Sequence, residues 1–309
     1  MLTTDTETFK TRDASSYDSL TEQFDQFTER LTSPLADRMI RLANIQPGEH
    51  ILDVGTGTGV VAFRAATKVG DGGRVVGIDL SEGMLSAANA KAERVGLAER
   101  IAFRQMDAEK LEFPDATFDV AVSLFALLHF PNPLTALKEI HRVLKPGGRL
   151  VVAVGSSPPL FSMSGLAHRI KVLPDIVRRF QGKQLVAPGF LDSLVESHFP
   201  QSNGHEESHL ASHSHDRTQG VASLVRSAGY RVLETDWQGN QAELETAEEF
   251  WEIQRTFSSI SRKRLNDAPP EKLEAVRREF FRECETVQAR GGNLAYPFAA
   301  YYVTAVRHN

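Results

Sequence analysis

Three glycines alternate at the end of Ile51–Gly59, I-L-D-V-G-T-G-T-G, and acidic residues stand where they could serve a ligand held there. Ile51, Leu52 and Val54 form a short apolar run suited to a strand buried on both faces, and a helix-compatible segment begins at Val60. Gly55, Gly57 and Gly59 leave the connecting backbone bare, so a ligand can approach it closely. They also permit the positive φ that a tight strand-to-helix turn often needs. Asp53 lies two residues before the first glycine, and Asp79 ends the next apolar run. A carboxylate there can accept hydrogen bonds from both hydroxyls of a ribose. The chemistry is that of a nucleotide-sized cradle, and the pattern alone does not name the nucleotide. Gly57-Thr58-Gly59-Val60-Val61-Ala62 also fits the dinucleotide pattern G-x-G-x-x-A, with Asp79 about 20 residues on.

The flanking segments explain how these groups would meet. Strands are expected at 51–54, 74–80, 101–105, 118–124 and 149–154, alternating with helices after Gly59, after Ser81 and after Asn132-Pro133. Short βα repeats imply a doubly wound parallel sheet whose ligands bind at the strands' carboxyl ends, the edge reached by Asp53, Asp79, Asp107-Ala108 and Ser123. A helix at 218–228, a strand at 230–236 and a returning antiparallel strand at 299–307 bring the expected sheet to seven strands. The expected organisation is N-terminal helices in 1–44, the ligand-binding core in 45–155, a lid or substrate-recognition insertion in 156–216, and completion of the core in 217–309. The last part carries inserted helices over 246–290, one to about 265 and one from 270. Residues 1–14 are polar and read as a frayed end.

Composition narrows the function. With 309 residues, 41% hydrophobic and 24% charged, the chain can bury a sizeable α/β core. A net charge of −5 offers no global reason to bind nucleic acid or an anionic membrane. Cys284 is the only cysteine, so no intramolecular disulfide forms, which fits a reducing compartment. The first residues lack the basic and apolar regions of a signal peptide, and no run of 18 apolar residues occurs. A cytoplasmic protein with no nucleic acid partner and no stable membrane insertion is expected; a homodimer is left open.

Taken together, D-V-G-T-G-T-G, Asp79 after the second strand, Asp107-Ala108 after the third and L-K-P-G-G before the fifth resemble the class I S-adenosylmethionine (SAM) dependent methyltransferases. The closer likeness is to the branch that includes the ubiquinone/menaquinone biosynthesis methyltransferases and many small-molecule methyltransferases. The resemblance covers roughly residues 45–155 and the strand–strand ending. It implies a Rossmann-like fold and SAM as cofactor, held by Asp53, Gly55, Thr56, Gly57, Gly59, Asp79, Leu80, Met84, Asp107, Ala108, Ser123 and Phe125. Asp79 would take the ribose hydroxyls and Asp107 the adenine amino group, with Leu80 and Met84 flanking the ring.

Outside the core the readings are looser. His129 follows the fourth strand, where an imidazole could act as a general base. Tyr17, Trp251 and Tyr296 are candidates for an aromatic substrate wall. His205, His209, His213 and His215 match no tight metal motif, and no metal is expected. Arg262-Lys263-Arg264 would favour an anionic substrate only if turned inward. Apolar stretches at 158–173 keep a membrane-borne acceptor open without forming a convincing amphipathic helix. The expected reaction is methyl transfer to a small molecule by in-line displacement, oxygen being the first acceptor considered. Carbon or nitrogen of a quinol-like or natural-product ring is the alternative. An NAD(P)-dependent oxidoreductase or a non-catalytic SAM-binding protein are the rival classes.

Overall fold

The computed structural model describes residues 2–18, 20–157, 163–186, 189–199 and 217–308. Its elements in chain order begin with α1 (Leu2–Asp18), α2 (Thr21–Phe27), a π-type turn at Thr28–Thr32, α3 (Ser33–Ala43), β1 (His50–Val54) and α4 (Val60–Val69). Next come β2 (Arg74–Asp79), α5 (Glu82–Arg94), β3 (Ile101–Gln105), β4 (Phe118–Leu124), α6 (Pro133–Val143) and β5 (Leu144–Gly155). They are followed by α7 (Met163–Lys171), α8 (Leu173–Phe180), β6 (Gln184–Val186), α9 (Phe190–His198), α10 (Arg217–Ser227) and β7 (Tyr230–Leu244). The described chain closes with α11 (Ala247–Phe257), α12 (Ser259–Asn266), α13 (Pro270–Ala289) and β8 (Asn293–Arg307). Contacts divide the chain into two compact units, Met1–Ser156 with Leu210–Gln238 and Ala300–Asn309, and Ser157–His209 with Gly239–Ala299.

The first unit carries the expected sheet in the order β3-β2-β1-β4-β5-β8, with β7 also pairing β8. β1 runs parallel to β2 and β4, β2 to β3, and β4 to β5, while β8 returns antiparallel along β5 from Arg149↔Val306 to Gly155↔Ala300. Ile51, Leu52, Val54, Val120, Ala121 and Val122 are fully buried, as strands covered on both faces require. Helix α6 buries Ala136, Leu137, Ile140 and Val143 on one stripe, each large side chain contributing about 1.5–3 kcal/mol. Ser81 caps α5 by accepting from the Met84 N–H at 3.1 Å, which starts the helix just after Asp79.

The N-terminal end departs from expectation. Residues 2–18 form α1 rather than a frayed tail, because Lys10, Asp13 and Ser16 are buried and Lys10 and Asp18 bond to core residues. Arg64 on α4 also ties α3 and its preceding turn to the core through Asp37 at 2.8 Å and Glu29 at 3.0 Å.

Within the second unit β6, an eighth strand not expected from sequence, pairs parallel with the start of β8 from Gln184↔Asn293 to Val186↔Ala295. The single helix expected over 246–265 is broken at Ser258, whose hydroxyl accepts from the Ser261 N–H at 3.1 Å and starts α12 afresh. Asp192 of α9 accepts from both the Ser258 and Ser261 hydroxyls, holding that break against α9. Phe250, Trp251, Phe280 and Phe190 form the aromatic core, the Trp251 and Phe280 rings meeting edge-on with centroids 5.1 Å apart. Arg262 is fully buried, with Nη1 donating to the Thr256 carbonyl at 2.9 Å. Burial, then Glu283 and Glu285, push the Cys284 thiol up to about 12, an inert state.

Among the described residues no helix is long and apolar enough to cross a membrane, and no three His, Cys, Asp or Glu side chains gather as a metal site. His205, His209, His213 and His215 lie outside the described residues.

Candidate functional site

From β1 the chain turns into α4 through Gly55, Gly57 and Gly59 at φ +70°, +54° and +89°. Steric need differs among them. A Cβ on Gly55 would lie 2.1 Å from the Ala126 Cβ, so the turn after β4 occupies that space. At Gly57 it would meet only the Phe24 ring at 3.5 Å, an ordinary contact, so backbone angle is the requirement there.

Asp79 fastens this loop to β2. Its Oδ2 accepts from the Gly57 N–H at 2.9 Å and its Oδ1 from the Ser81 N–H at 3.0 Å. The Gly55 and Thr56 N–H groups donate to the Ile78 carbonyl at 2.8 and 2.9 Å. Burial pushes the Asp79 carboxyl upward, opposed by the backbone donors and by nearby His129. Asp53 accepts from the Thr56 hydroxyl at 2.7 Å, and burial raises its carboxyl to about 7 despite that bond.

Across the same edge, Asp107 Oδ1 accepts from the Glu109 N–H at 2.9 Å, and Oδ2 lies 2.7 Å from Lys10 Nζ, which also reaches Glu109 at 3.0 Å. Burial draws the Lys10 ammonium down, but its bonds to the two carboxylates more than offset this and the net shift is upward. Met84 and Ala108 are buried and Leu80 half-buried. At the end of β4, the buried Ser123 hydroxyl has no hydrogen-bond partner among the described residues. Phe125 stands at φ +66°, a strained conformation for a bulky side chain, held by its N–H donating to the Ala153 carbonyl at 2.8 Å. His129 Nδ1 lies 3.5 Å from Asp13 Oδ2.

Of the N-terminal helices only Tyr17 was expected near this edge; Lys10, Asp13 and Asp18 of α1 were not. Lys10 reaches Asp107, Asp13 faces His129, and Asp18 accepts from the Ser81 hydroxyl at 2.7 Å and the Gly83 N–H at 3.2 Å. Tyr17 meets Phe24 edge-on at 5.6 Å, beside Gly57. The signal available was weak: Lys10, Asp13 and Tyr17 recur at i, i+3, i+7, one helix face, but a polar face reads as solvated without its partners. The second unit holds the other two aromatic candidates. Trp251 is buried among Phe280 and Phe281, its ring meeting that of Phe280 edge-on. Tyr296 pairs with Phe257 at 5.9 Å, and burial, with Asp192 adding to it, holds its hydroxyl above the usual phenol range.

Residues 52–152 match a family model described as a methyltransferase domain. Over 203 residues, 66% of this chain and 71% of the relative, the sequence is 32% identical to 27-O-demethylrifamycin SV methyltransferase of Amycolatopsis mediterranei. The chain belongs to the class I SAM-dependent methyltransferases. It is also 28% identical to nocamycin O-methyltransferase of Saccharothrix syringae over 288 residues, covering 93% of this chain and 96% of that one. The ubiquinone/menaquinone biosynthesis C-methyltransferase UbiE of Coxiella burnetii is 39% identical over 140 residues, 45% of this chain and 56% of that one. Among solved structures, the [4+2]-cyclase SpnF shares the fold at a TM-score of 0.53 and 21% identity, covering 90% of this chain and 82% of that one.

This methyltransferase's own residues fit the cofactor. The loop from Gly55 to Gly59 offers bare backbone, Asp79 presents beside it a carboxylate of the kind that accepts from hydroxyls, and Ser123 keeps an unspent hydroxyl at the end of β4. The dinucleotide alternative is set aside by the family match and by β8, which returns antiparallel beside β5.

Proposed function

We propose that the enzyme methylates a hydroxyl oxygen of a small molecule, with His129 as the proton acceptor and Asp13 holding its ring. The observation carrying this reading is one of extent. The similarity to an O-methyltransferase spans 288 of 309 residues and therefore most of the second unit, whereas that to the C-methyltransferase spans 140. A carboxylate facing Nδ1 favours the tautomer with its proton there, leaving Nε2 to take a hydroxyl proton.

In this reading Asp79 accepts from the ribose hydroxyls and Asp107 from the adenine amino group. The Asp107 carboxylate has lone pairs to spare beyond those engaged by Lys10 and Glu109. Leu80, Met84 and the Ala108 backbone flank the ring; Asp53, Gly55, Thr56, Gly57 and Gly59 shape the methionine end; Ser123 and Phe125 lie toward the methyl group. Bound SAM supplies an electrophilic methyl on a cationic sulfur. The protein contributes alignment and exclusion of water, and since positive charge is lost as the methyl leaves, apolar walls favour the forward step. The second unit draws on both expected insertions, 156–216 and 246–290.

The test is turnover of SAM carrying a carbon-13 methyl group against a panel of phenols, alcohols and quinols. An O-methyl resonance in the product supports the reading. A C-methyl or N-methyl resonance as the sole product overturns it.

A further inference from the structure

We infer that the outward face of α7 and α8 is a docking surface for an anionic lipid bilayer. Leu173, Ile176, Val177 and Phe180 recur at i, i+3, i+4, i+7 and form one stripe on α8, with Phe180 88% exposed and the others 41–58%. Leu166 and Ile170, four apart on α7, are 51% and 67% exposed. These six are most of the large apolar side chains left exposed among the described residues, and their concentration on two consecutive helices marks a contact surface. Asp175, on the opposite side of α8, accepts from Gln241 Nε2 at 3.2 Å. That bond turns the polar side toward its own unit and leaves the stripe facing solvent.

Charge selects the occupant. Residues 163–183 contain Arg169, Lys171, Arg178, Arg179 and Lys183 against Asp175 alone, a net +4 (five minus one) in a chain of −5. Arg178, Arg179 and Lys183 are exposed, Arg178 also lying 3.8 Å from Asp175 at the edge of the polar side. An apolar stripe bordered by long cationic side chains matches the boundary between acyl chains and anionic headgroups, where arginine stems lie along apolar surface and their heads meet phosphate. A second copy packed stripe to stripe would bring two such cationic patches together, which disfavours self-association there. The surface is independent of which atom accepts the methyl group.

The test is co-sedimentation of the full chain with vesicles of phosphatidylcholine alone and of phosphatidylcholine mixed with phosphatidylglycerol. Partition onto the mixed vesicles is expected to exceed that onto neutral ones by at least about tenfold and to weaken as salt rises. The double variant Ile176→Glu, Phe180→Glu should abolish it, and Arg178→Gln with Arg179→Gln should reduce it several-fold, each checked for an unchanged melting curve. Phe180→Ser alone, at the most exposed position, serves if the double variant melts early. Absence of partition, equal partition onto both vesicles, or partition unaffected by the stripe variants overturns the inference. So does a homodimer that dissociates in the stripe variants while vesicles are ignored.

Discussion

Lys10 and Asp107 stand 97 positions apart in the chain, yet the Lys10 ammonium lies 2.7 Å from the Asp107 carboxylate and 3.0 Å from that of Glu109. One cation thus keeps two neighbouring carboxylates from facing each other uncompensated and fastens α1 to the turn after β3. Lys10→Met should destabilise the protein by about 1–3 kcal/mol, because two partly buried like charges lose their shared partner. Urea unfolding measures the loss, and α1 should become the first site of limited proteolysis.

Asp79 already accepts from Gly57 and Ser81, so it shapes the loop before any ligand arrives. Asp79→Ala is expected to weaken S-adenosylhomocysteine binding by about 10- to 100-fold, the value of charge-assisted hydrogen bonds to two hydroxyls. Calorimetric titration decides it. Binding within twofold of the parent would remove the ribose from Asp79.

Gly55 has no side chain because Ala126 fills the space one would need. Gly55→Ala should cost about 2–4 kcal/mol through overlap and an alanine held at positive φ. Adding Ala126→Gly should restore part of this by removing the overlap, leaving roughly 1 kcal/mol of backbone strain. A double-mutant cycle on thermal unfolding reads the coupling.

An unfolded aspartate titrates near 3.8, whereas burial raises Asp53 to about 7 in the folded protein. Between those values the native state holds a proton that the unfolded chain has released. The associated stability is complete below the lower value and is lost as pH rises through the upper one. Asp53→Asn keeps an acceptor for the Thr56 hydroxyl and does not titrate. From about pH 4 to about pH 8 the parent should lose roughly 2–4 kcal/mol of stability relative to the variant, read by urea unfolding at both ends.

His129→Ala should lower kcat by about 10²- to 10⁴-fold while KM for SAM stays within about twofold, as removal of a general base requires. Asp13→Asn should act more mildly, about tenfold on kcat, since it removes only the group that orients the ring. Steady-state kinetics with the identified acceptor checks both, and full activity of His129→Ala would eliminate the base role.

Much of the catalytic core was legible in order along the chain because short-range physics writes it there. Alternating glycines mark a bare turn, apolar runs such as Ile51–Val54 mark buried strands, and Ser81 and Pro133 mark helix starts whatever lies around them. What only the tertiary structure decided depends on partners distant in sequence. Polar α1 became part of the site edge through Lys10 and Asp13, Trp251 became core through Phe280, and the expected long helix broke at Ser258 beside Asp192. A lysine, a tryptophan or a serine is compatible with solvent, core or ligand alike, and only the groups that long-range folding brings within reach select among them.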